Sequence, residues 1–288
     1  MGFAMNRIAV LVSCFNRKAT TLAGLESLFS QKGVERLSIT VFLVDDASTD
    51  GTAKAVAERF PEVRLLRGNG SLWWGGSMRM AFAAAMEEDF DAYIWWNDDT
   101  ELVDDTLDRL VACAKEVDAK LGPAIIAGST SHPDTGKRTY GGYYKRQAGF
   151  RVDFVAVEPH PDKPVRVDTM NGNIALIPSV IAKKVGNIDR RFRHLLADFD
   201  YGQRAAKAGF PIIMAAGYLG KCKSNSSAKT WRDGTMPLSA RWKHLMSPRG
   251  VNPREWMLYT SRHFGWRWPF YFASPYLKVL LKGICAEE

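Results

Sequence analysis

The chain of 288 residues is long enough for one large α/β domain, or one domain with an appendage, and its 46% apolar and 24% charged content is ordinary for a globular protein. Four scattered cysteines (Cys14, Cys113, Cys222, Cys285) with no CxxC pair exclude a disulfide framework or a zinc ribbon and fit a reducing compartment; no run of roughly 18 apolar residues predicts a membrane-spanning helix, and the start MGFAMNRIAVLVS lacks the apolar core of a signal peptide. The net charge of +8 lies wholly in the last quarter, because residues 1–220 carry 27 Lys+Arg against 27 Asp+Glu and residues 221–288 carry 12 against 4.

In chain order, RIAVLVSCFNR starts as a fully apolar strand and ends in polar residues. ATTLAGLESLFSQ follows with helical spacing, Leu22, Leu25, Leu28 and Phe29 sharing one face. SITVFLVDDASTDGT is a second apolar strand running into a turn, and a helix restarts over 52–60. VRLLRG is a short third strand, a long helix is expected over about 76–88, and DAYIWW is a fourth strand. Residues 104–119 read as a helix and PAIIAGST as another strand. From about 136 to 168, Gly, Tyr, Pro and charge (GKRTYGGYYKRQ, VEPHPDKP) predict irregular or antiparallel structure over the sheet's end. NGNIALIP and a helix near 179–185 follow, and DRRFRHLLADFDYGQRAAKAGF holds a helix that starts near Asp198–Asp200 and ends at Gly209. The final SPRGVNPREWMLYTSRHFGWRWPFYFASPYLKVLLKGIC is basic, aromatic and broken by proline.

Strands alternating with helices at this rhythm predict an α/β fold with parallel strands and crossover helices, and such sheets bind ligands outside the carboxyl ends of their strands. Polar groups fall there three times, at Ser13–Arg17, at Asp45 and Asp46, and at Asn97–Asp99. YIWWNDDTE drives an apolar strand into two adjacent carboxylates, whose repulsion and burial require something positive between or beside them. A metal ion is the expected positive group. Asp99 would ligate Mg2+ or Mn2+, hard ions that take one or two protein carboxylates and fill the rest with substrate oxygens, and Asp98 would hold a ribose or a metal-bound water. The plain alternative is a capping turn before ELVDDTLDRL. In VDDASTDGT, Asp45 or Asp46 would accept from a nucleobase N–H or ribose hydroxyls while Ser48 or Asp50 caps the next helix. RGNGSLWWGGSMRMA offers four glycines for close backbone approach and Arg79 as a planar donor to a diphosphate; it is neither a P-loop nor G-x-G-x-x-G, and core packing is the alternative for Trp73 and Trp74. Asp198 and Asp200 open a helix, where the dipole keeps a carboxylate ionised as a general base, or where it simply caps.

This ordered set resembles the family 2 glycosyltransferases of the GT-A fold over about residues 7–215: VSCFNR, VDDASTDGT, NGSLWWGGSMRMA, WNDDTEL, and NGNIALI followed by ADFDYGQRAAKAG. The WWGG and NDDT versions look most like bacterial transferases that build O-antigen, capsule or other surface glycans, rhamnosyltransferase-like members among them. The resemblance implies a Rossmann-like, mostly parallel GT-A domain over 1–220, with a nucleotide-binding half at about 1–102 and an acceptor half at about 103–220. A flexible loop and a basic, aromatic helical appendage follow over 221–288. It implies a donor site of Ser13, Phe15, Asn16, Arg17, Asp45, Asp46, Asn69, Gly70, Trp74, Gly75, Arg79, Asn97 and Asp98. It makes Asp99 the metal-binding acid, Asp198 the catalytic base, and Gly172, Asn173 and Asp200 parts of the acceptor and sugar pocket. Two departures stand out. Ala197 replaces the Glu that usually precedes the base, and GYLGKCKSNSSAKTWRDG lacks the metal-binding His many members carry. Cys222 is not expected to substitute, because a thiolate is a soft partner for Mg2+ or Mn2+.

The expected reaction is inverting, metal-dependent transfer of a sugar from a nucleotide-diphosphate donor, dTDP- or UDP-linked, to a hydroxyl of a growing surface polysaccharide or a polyprenyl-linked acceptor. Closure of the 221–235 loop, with Lys221, Lys223, Lys229 and Arg232, over the diphosphate is expected. In 248–284, Trp256, Trp266, Trp268, Phe270, Tyr271 and Phe272 interleave with Arg and Lys; this suits an anionic membrane surface and a peripheral, cytoplasmic-face location, the alternative being a packed appendage or a homodimer contact. A sugar-1-phosphate nucleotidyltransferase would need a Gly-rich basic loop after the first strand, which SCFNRKATT lacks; a non-catalytic nucleotide-sugar-binding assembly protein is kept open by Ala197; and the basic excess matches no nucleic-acid module.

Overall fold

The computed structural model describes residues 5–224 and 229–284. Its first half alternates strand and helix: β1 (Arg7–Cys14), α1 (Lys18–Phe29), β2 (Ser38–Asp45), α2 (Thr52–Arg59), β3 (Arg64–Arg67), α3 (Trp73–Met86), β4 (Ala92–Trp96), the two-residue β5 (Glu101–Leu102), α4 (Thr106–Leu121) and β6 (Ile125–Ser131). A hairpin of β7 (Gly142–Ala148) and β8 (Arg151–Ala156) follows, then β9 (Val165–Val167), β10 (Thr169–Met170), β11 (Ile174–Pro178), α5 (Ser179–Val185), α6 (Ala197–Lys207) and β12 (Ile212–Lys221). Helices α7 (Leu238–Leu245), α8 (Pro253–His263) and α9 (Trp268–Ile284) complete the described chain.

The main sheet runs β3-β2-β1-β4-β11-β6-β12-β5. β1 pairs in parallel with β2 and β4, β2 with β3, and β6 with β12, so the expected α/β fold with a mostly parallel sheet holds. β11 departs from it, running antiparallel to both β4 and β6. Its apolar run IALI is buried on both faces, and such a run carries no mark of strand direction. The β7–β8 hairpin and β10 form a separate antiparallel sheet, as the composition of 136–168 predicted.

Side chains alternate across the sheet with period two. Along β4, Tyr93 and Trp95 enter the core under α3 and α6, while Ile94 and Trp96 enter the core under α1 and α4. Burial of each such side chain contributes about 1.5–3 kcal/mol, so β4 is fixed from both faces up to the residue before Asn97.

Helix α3 starts at Trp73, three residues before the expected position. Gly75 thus lies inside it with Gly76, while Gly68 and Gly70 stay in the loop before it. The carbonyl of Arg193 accepts from the N–H groups of Gly75 and Gly76, and a Cβ on Gly75 would stand 2.9 Å from the carbonyl oxygens of Phe192 and Arg193. The C-terminal helices pack on the body rather than standing apart. Tyr259 of α8 and Phe264 are buried in the main core, and Leu245, Val251 and Val279 close a small core between α7 and α9. Among the described residues no helix is long and apolar enough to cross a membrane. Residues 225–228 of the loop expected to close lie outside the described residues.

Candidate active site

Register brings three strand ends side by side: Cys14 of β1 pairs with Asp45 of β2, and Leu11 of β1 with Trp95 of β4. The acids after β4 meet a positive group supplied by the chain itself. Arg17, at the start of α1, donates through one Nη1 to Asp98 Oδ1 at 3.1 Å and to Asp99 Oδ2 at 2.9 Å. Thr21, one turn further along α1, donates its hydroxyl to Asp98 Oδ2 at 2.7 Å. Asp98 is buried with both oxygens engaged, which corrects the expectation that it reaches a ribose or a metal-bound water. Burial pushes its carboxyl up to about 6, against the opposing pull of Arg17. Asp99 remains 41% exposed and is the open member of the pair.

Gly24 makes this arrangement steric as well as electrostatic. A Cβ there would lie 2.5 Å from the carbonyl oxygen of Asp98, so α1 presses directly on the acid loop. Neither Thr21 nor Gly24 was expected as a site residue. The spacing of Arg17 and Thr21 at i, i+4 on one helix is the signal that marks Thr21.

A continuous path then runs from these acids to the later aspartate. Asn97 Oδ1 accepts from Trp74 Nε1 at 2.7 Å, and the Asn97 N–H donates to the Asn173 carbonyl at 3.1 Å. Trp74 stands edge-on to Trp95, with centroids 6.0 Å apart. A Cβ on Gly172 would meet the Trp74 ring at 2.6 Å, so only glycine admits this contact. The Gly172 N–H donates to Asp198 Oδ2 at 2.9 Å, and the Phe199 N–H donates to Asp198 Oδ1 at 2.8 Å. Asp198 sits in the first turn of α6, entered through Leu196 at φ 66°. Burial raises its carboxyl above the ordinary value, while the Gly172 and Phe199 N–H groups and the Asn171 side chain pull it down.

Cys222, just past β12, also reaches this cluster. Its Sγ is 3.7 Å from Asp99 Oδ1 and 3.8 Å from Asn173 Nδ2. Burial first, then the Asp99 charge, pushes its thiol up to about 12, so the sulfur is protonated and a poor ligand for a hard cation. No group of three or more His, Cys, Asp and Glu with metal-ligand geometry exists among the described residues. Asp99 is the exposed carboxylate of this cluster that could hold a hard divalent ion, one that takes most of its oxygens from a substrate.

The acids after β2 separate into two roles. Asp46 is buried and accepts from the N–H groups of Gly70 (2.8 Å), Leu72 (2.9 Å) and Trp73 (3.1 Å). It holds the Gly-rich turn and caps α3, and is not open to a ligand. Asp45 is as deeply buried and accepts one N–H, from Ser48 at 3.0 Å, so it carries fewer hydrogen bonds than its neighbour. Asn16, at φ 48°, accepts from the Thr49 N–H at 2.7 Å, which ties the first strand's loop to the second's. Phe15 is 49% exposed and Ser13 half-buried beside them. Asn69 is exposed and turns its Oδ1 onto the Ser71 N–H, and Gly70 occupies φ 83°, which a side chain would strain. Asp50 accepts from the Thr52 N–H at 3.0 Å and so holds the turn into α2, whose N-cap is Gly51 rather than Asp50 or Ser48.

Three further residues expected in the site have partners elsewhere. Gly75 admits the Phe192–Arg193 backbone rather than a ligand. Arg79 donates to the Arg190 carbonyl at 3.2 Å, two turns into α3, and makes no contact with the acids. Asp200 is fully buried and faces α8, its oxygens held by Arg204, Arg262 and His263 at 2.7–2.9 Å; as residue i+2 from Asp198 on a helix it points away from the base's side. A cavity of about 440 Å3 lined by Glu101, Asp104, Arg109, Tyr218 and Lys221 contains none of the expected donor, acceptor or metal residues, and of the loop expected to close it holds only Lys221.

The family model described as "Glycosyl transferase family 2" matches residues 9–163, more than half of the chain. The chain is 24% identical over 252 residues to an N-acetylglucosaminyl-diphospho-decaprenol L-rhamnosyltransferase of Mycobacterium tuberculosis, covering 79% of this chain and 76% of the relative. Among solved structures, the mannosyltransferase PcManGT from Pyrobaculum calidifontis, in complex with GDP-Man and Mn2+, superposes with TM-score 0.56 at 16% identity over 98% of this chain and 74% of that one. S. aureus TarS 1–349 superposes with TM-score 0.54 at 13% identity over 75% of this chain; the chain spans only 60% of that fragment's length. At these identities the structural likenesses speak to the fold alone.

Proposed function

The chain belongs to glycosyl transferase family 2, and from that premise we propose that it moves a deoxyhexose from a dTDP- or UDP-linked donor to a hydroxyl of a polyprenyl-diphosphate-linked saccharide, with inversion. The acceptor class and the deoxyhexose rest on the rhamnosyltransferase relative, and in this reading the reaction serves assembly of a surface glycan on a lipid carrier at the cytoplasmic face of a membrane. The observation that carries the reading is the contact path Asn97–Trp74–Gly172–Asp198, which ties the acid loop after β4 to a half-buried carboxylate at the start of α6.

In this reading Asp45 accepts from the nucleoside, and Phe15 and Asn16 line the same pocket. Asp198 takes the proton of the acceptor hydroxyl as its oxygen attacks the anomeric carbon and the bond to the diphosphate breaks. The two backbone N–H groups on Asp198 fix the carboxylate's orientation, and its raised affinity for protons favours that transfer. A divalent cation, Mg2+ or Mn2+ as in the PcManGT complex, held through Asp99, would neutralise charge on the departing diphosphate. Asp98 and Arg17 hold Asp99 in place rather than touching the donor. The nucleotidyltransferase alternative loses its ground to the family membership.

The test is a panel of nucleotide sugars with Mn2+ and a polyprenyl-diphosphate-linked N-acetylglucosamine acceptor, followed by product mass. One deoxyhexosyl donor should give transfer. Asp99→Asn should weaken donor binding in the presence of Mn2+ by about tenfold or more. No turnover with any donor, or unchanged Mn2+-dependent donor binding in the variant, rejects the reading.

A further inference from the structure

The β7–β8 hairpin closes with a two-residue turn, Gly149 at φ 54° followed by Phe150. Such turns favour Gly, Asn or Asp, and a phenylalanine at the tip serves no need of the turn. Phe150 is nonetheless 47% exposed, and it packs edge-on against two side chains more exposed still, Trp266 (66%) and Phe270 (59%), at centroid distances of 5.7 and 5.1 Å. On α9, Leu277 and Leu281 follow Phe270 by 7 and 11 residues, which sets all three within about 20° of one line along the helix. Both leucines are exposed. The opposite side of α9 is the packed one: Val279 is buried and the Tyr276 hydroxyl donates to the Val251 carbonyl at 2.8 Å. One helix thus carries two apolar faces, and only one is satisfied by the fold.

Charge decides what covers the other. Residues 221–288 hold the chain's entire net charge of +8. At the patch itself, the Arg267 guanidinium lies 4.9 Å from the Trp266 ring centroid, and exposed Lys278 follows Leu277. Arg146 and Arg151 flank the hairpin tip and share one acid, Asp153. A symmetric contact with a second copy would bring these cations together, whereas an anionic lipid surface complements them and takes Trp and Phe at its interface.

We propose that the β7–β8 hairpin tip and the outer stripe of α9 form one docking face for an anionic bilayer surface. The hairpin also sets a distance. β7 begins beside β10, where Gly142 pairs with Met170, two residues before the Gly172 that binds Asp198. Seven residues at about 3.3 Å each set the tip roughly 20 Å from that point. Phe199, next to the base, packs on Tyr143 and Phe154 of the hairpin at 5.0 and 5.2 Å, so the hairpin and α6 form one rigid piece. The docking face rests on the proposed reaction only for its purpose, which is to hold the base at the height of a saccharide rising from a lipid diphosphate.

The test is flotation of the full chain with phosphatidylcholine vesicles, with and without phosphatidylglycerol, together with quenching of tryptophan fluorescence by brominated lipid. The chain should float with the anionic vesicles and be released by salt. The variant Phe150→Ser, Trp266→Ser, Phe270→Ser should bind about tenfold or more weakly, and so should Leu277→Gln with Leu281→Gln, both at unchanged melting temperature. Equal binding by the variants, no binding by the wild type, or a wild-type dimer in light scattering that the variants dissolve overturns the proposal. Vesicle binding that depends on these residues, alongside a donor panel that yields no product, supports the docking face and counts against the proposed reaction alone.

Discussion

Asp198 accepts one backbone N–H on each carboxylate oxygen, so its orientation is set by main chain rather than by another side chain. Asp198→Asn preserves the shape and should leave donor binding and melting temperature near wild type while lowering kcat by about 10²–10⁴-fold, measured by product formation beside donor titration. Because burial raises this carboxyl, the acid limb of the kcat profile should lie above the usual value of about 4, activity falling as pH drops through it; a limb at or below 4 contradicts the assignment. The VDD pair yields a second prediction. Asp46→Ala removes the acceptor of three part-buried N–H donors at once and should cost about 1–3 kcal/mol in chemical unfolding, whereas Asp45→Ala releases one and should act chiefly on nucleotide binding. The sequence presents these neighbours as equals. Which of them faces the ligand depends on where the Gly-rich turn, 24 to 27 residues later, sends its N–H groups, and no local pattern records that.

Elements rather than single residues join the base to the C-terminal extension. Asp200 of α6 takes Arg204 from its own helix and Arg262 and His263 from α8, while Arg262 also reaches Asp189 Oδ2 at 2.7 Å. Gln203 of α6 bonds the Tyr259 hydroxyl of α8 at 2.5 Å. Helix α8 therefore grips the helix that carries Asp198, and the appendage alternative read from the aromatic tail holds for α8. Arg262→Ala removes a half-buried partner from two carboxylates but leaves Arg204 and His263 on Asp200. It should cost roughly 2–4 kcal/mol in urea unfolding and lower kcat more than donor affinity, since α6 rather than the nucleotide pocket loses its brace. Sequence signals placed α1, α4, α5 and α6 within a few residues of their observed ends, although the face that α1 buries is Thr21, Gly24, Leu25 and Leu28 and leaves Phe29 exposed. The grip between α6 and α8 was not legible. Its partners lie 62 and 63 residues apart, and Asp200 beside Asp198 reads as a second site acid until its cations are seen.

At the scale of the whole molecule, the legible part was the part written in strand ends. Apolar runs that stop at SCFNR, VDD and WNDD announced three adjacent strands and the side on which chemistry would gather, and β1, β2 and β4 bear this out. The cation between the acids was less legible. A divalent metal was the expected counter-charge, yet Arg17 spans both carboxylates, and only the approach of α1 over Gly24 brings it there. How these buried charges sum decides the response to acid. Burial alone would raise Asp200, but His263, Arg204 and Arg262 together hold it below its ordinary value, and its neighbour Asp189 is held down by Arg191 and Arg262. Both contribute stability that is present above about pH 4 and is lost as pH falls through their folded values. His263 is lowered by burial, with Lys207 and Lys145 adding to it against Asp200, so stability also falls as the unfolded imidazole takes its proton below about 6.5. Asp98, Asp198 and Glu255 act in the opposite sense, since each is raised by burial and is relieved of an unfavourable charge on acidification. The two sets oppose each other between about pH 6.5 and 4, and below 4 only the losses continue. The melting temperature should therefore drop most steeply below about pH 4. Asp200→Asn should start lower at pH 7 and lose less between pH 5 and 3 than the wild type; parallel curves for the two proteins would remove Asp200 from the acid response.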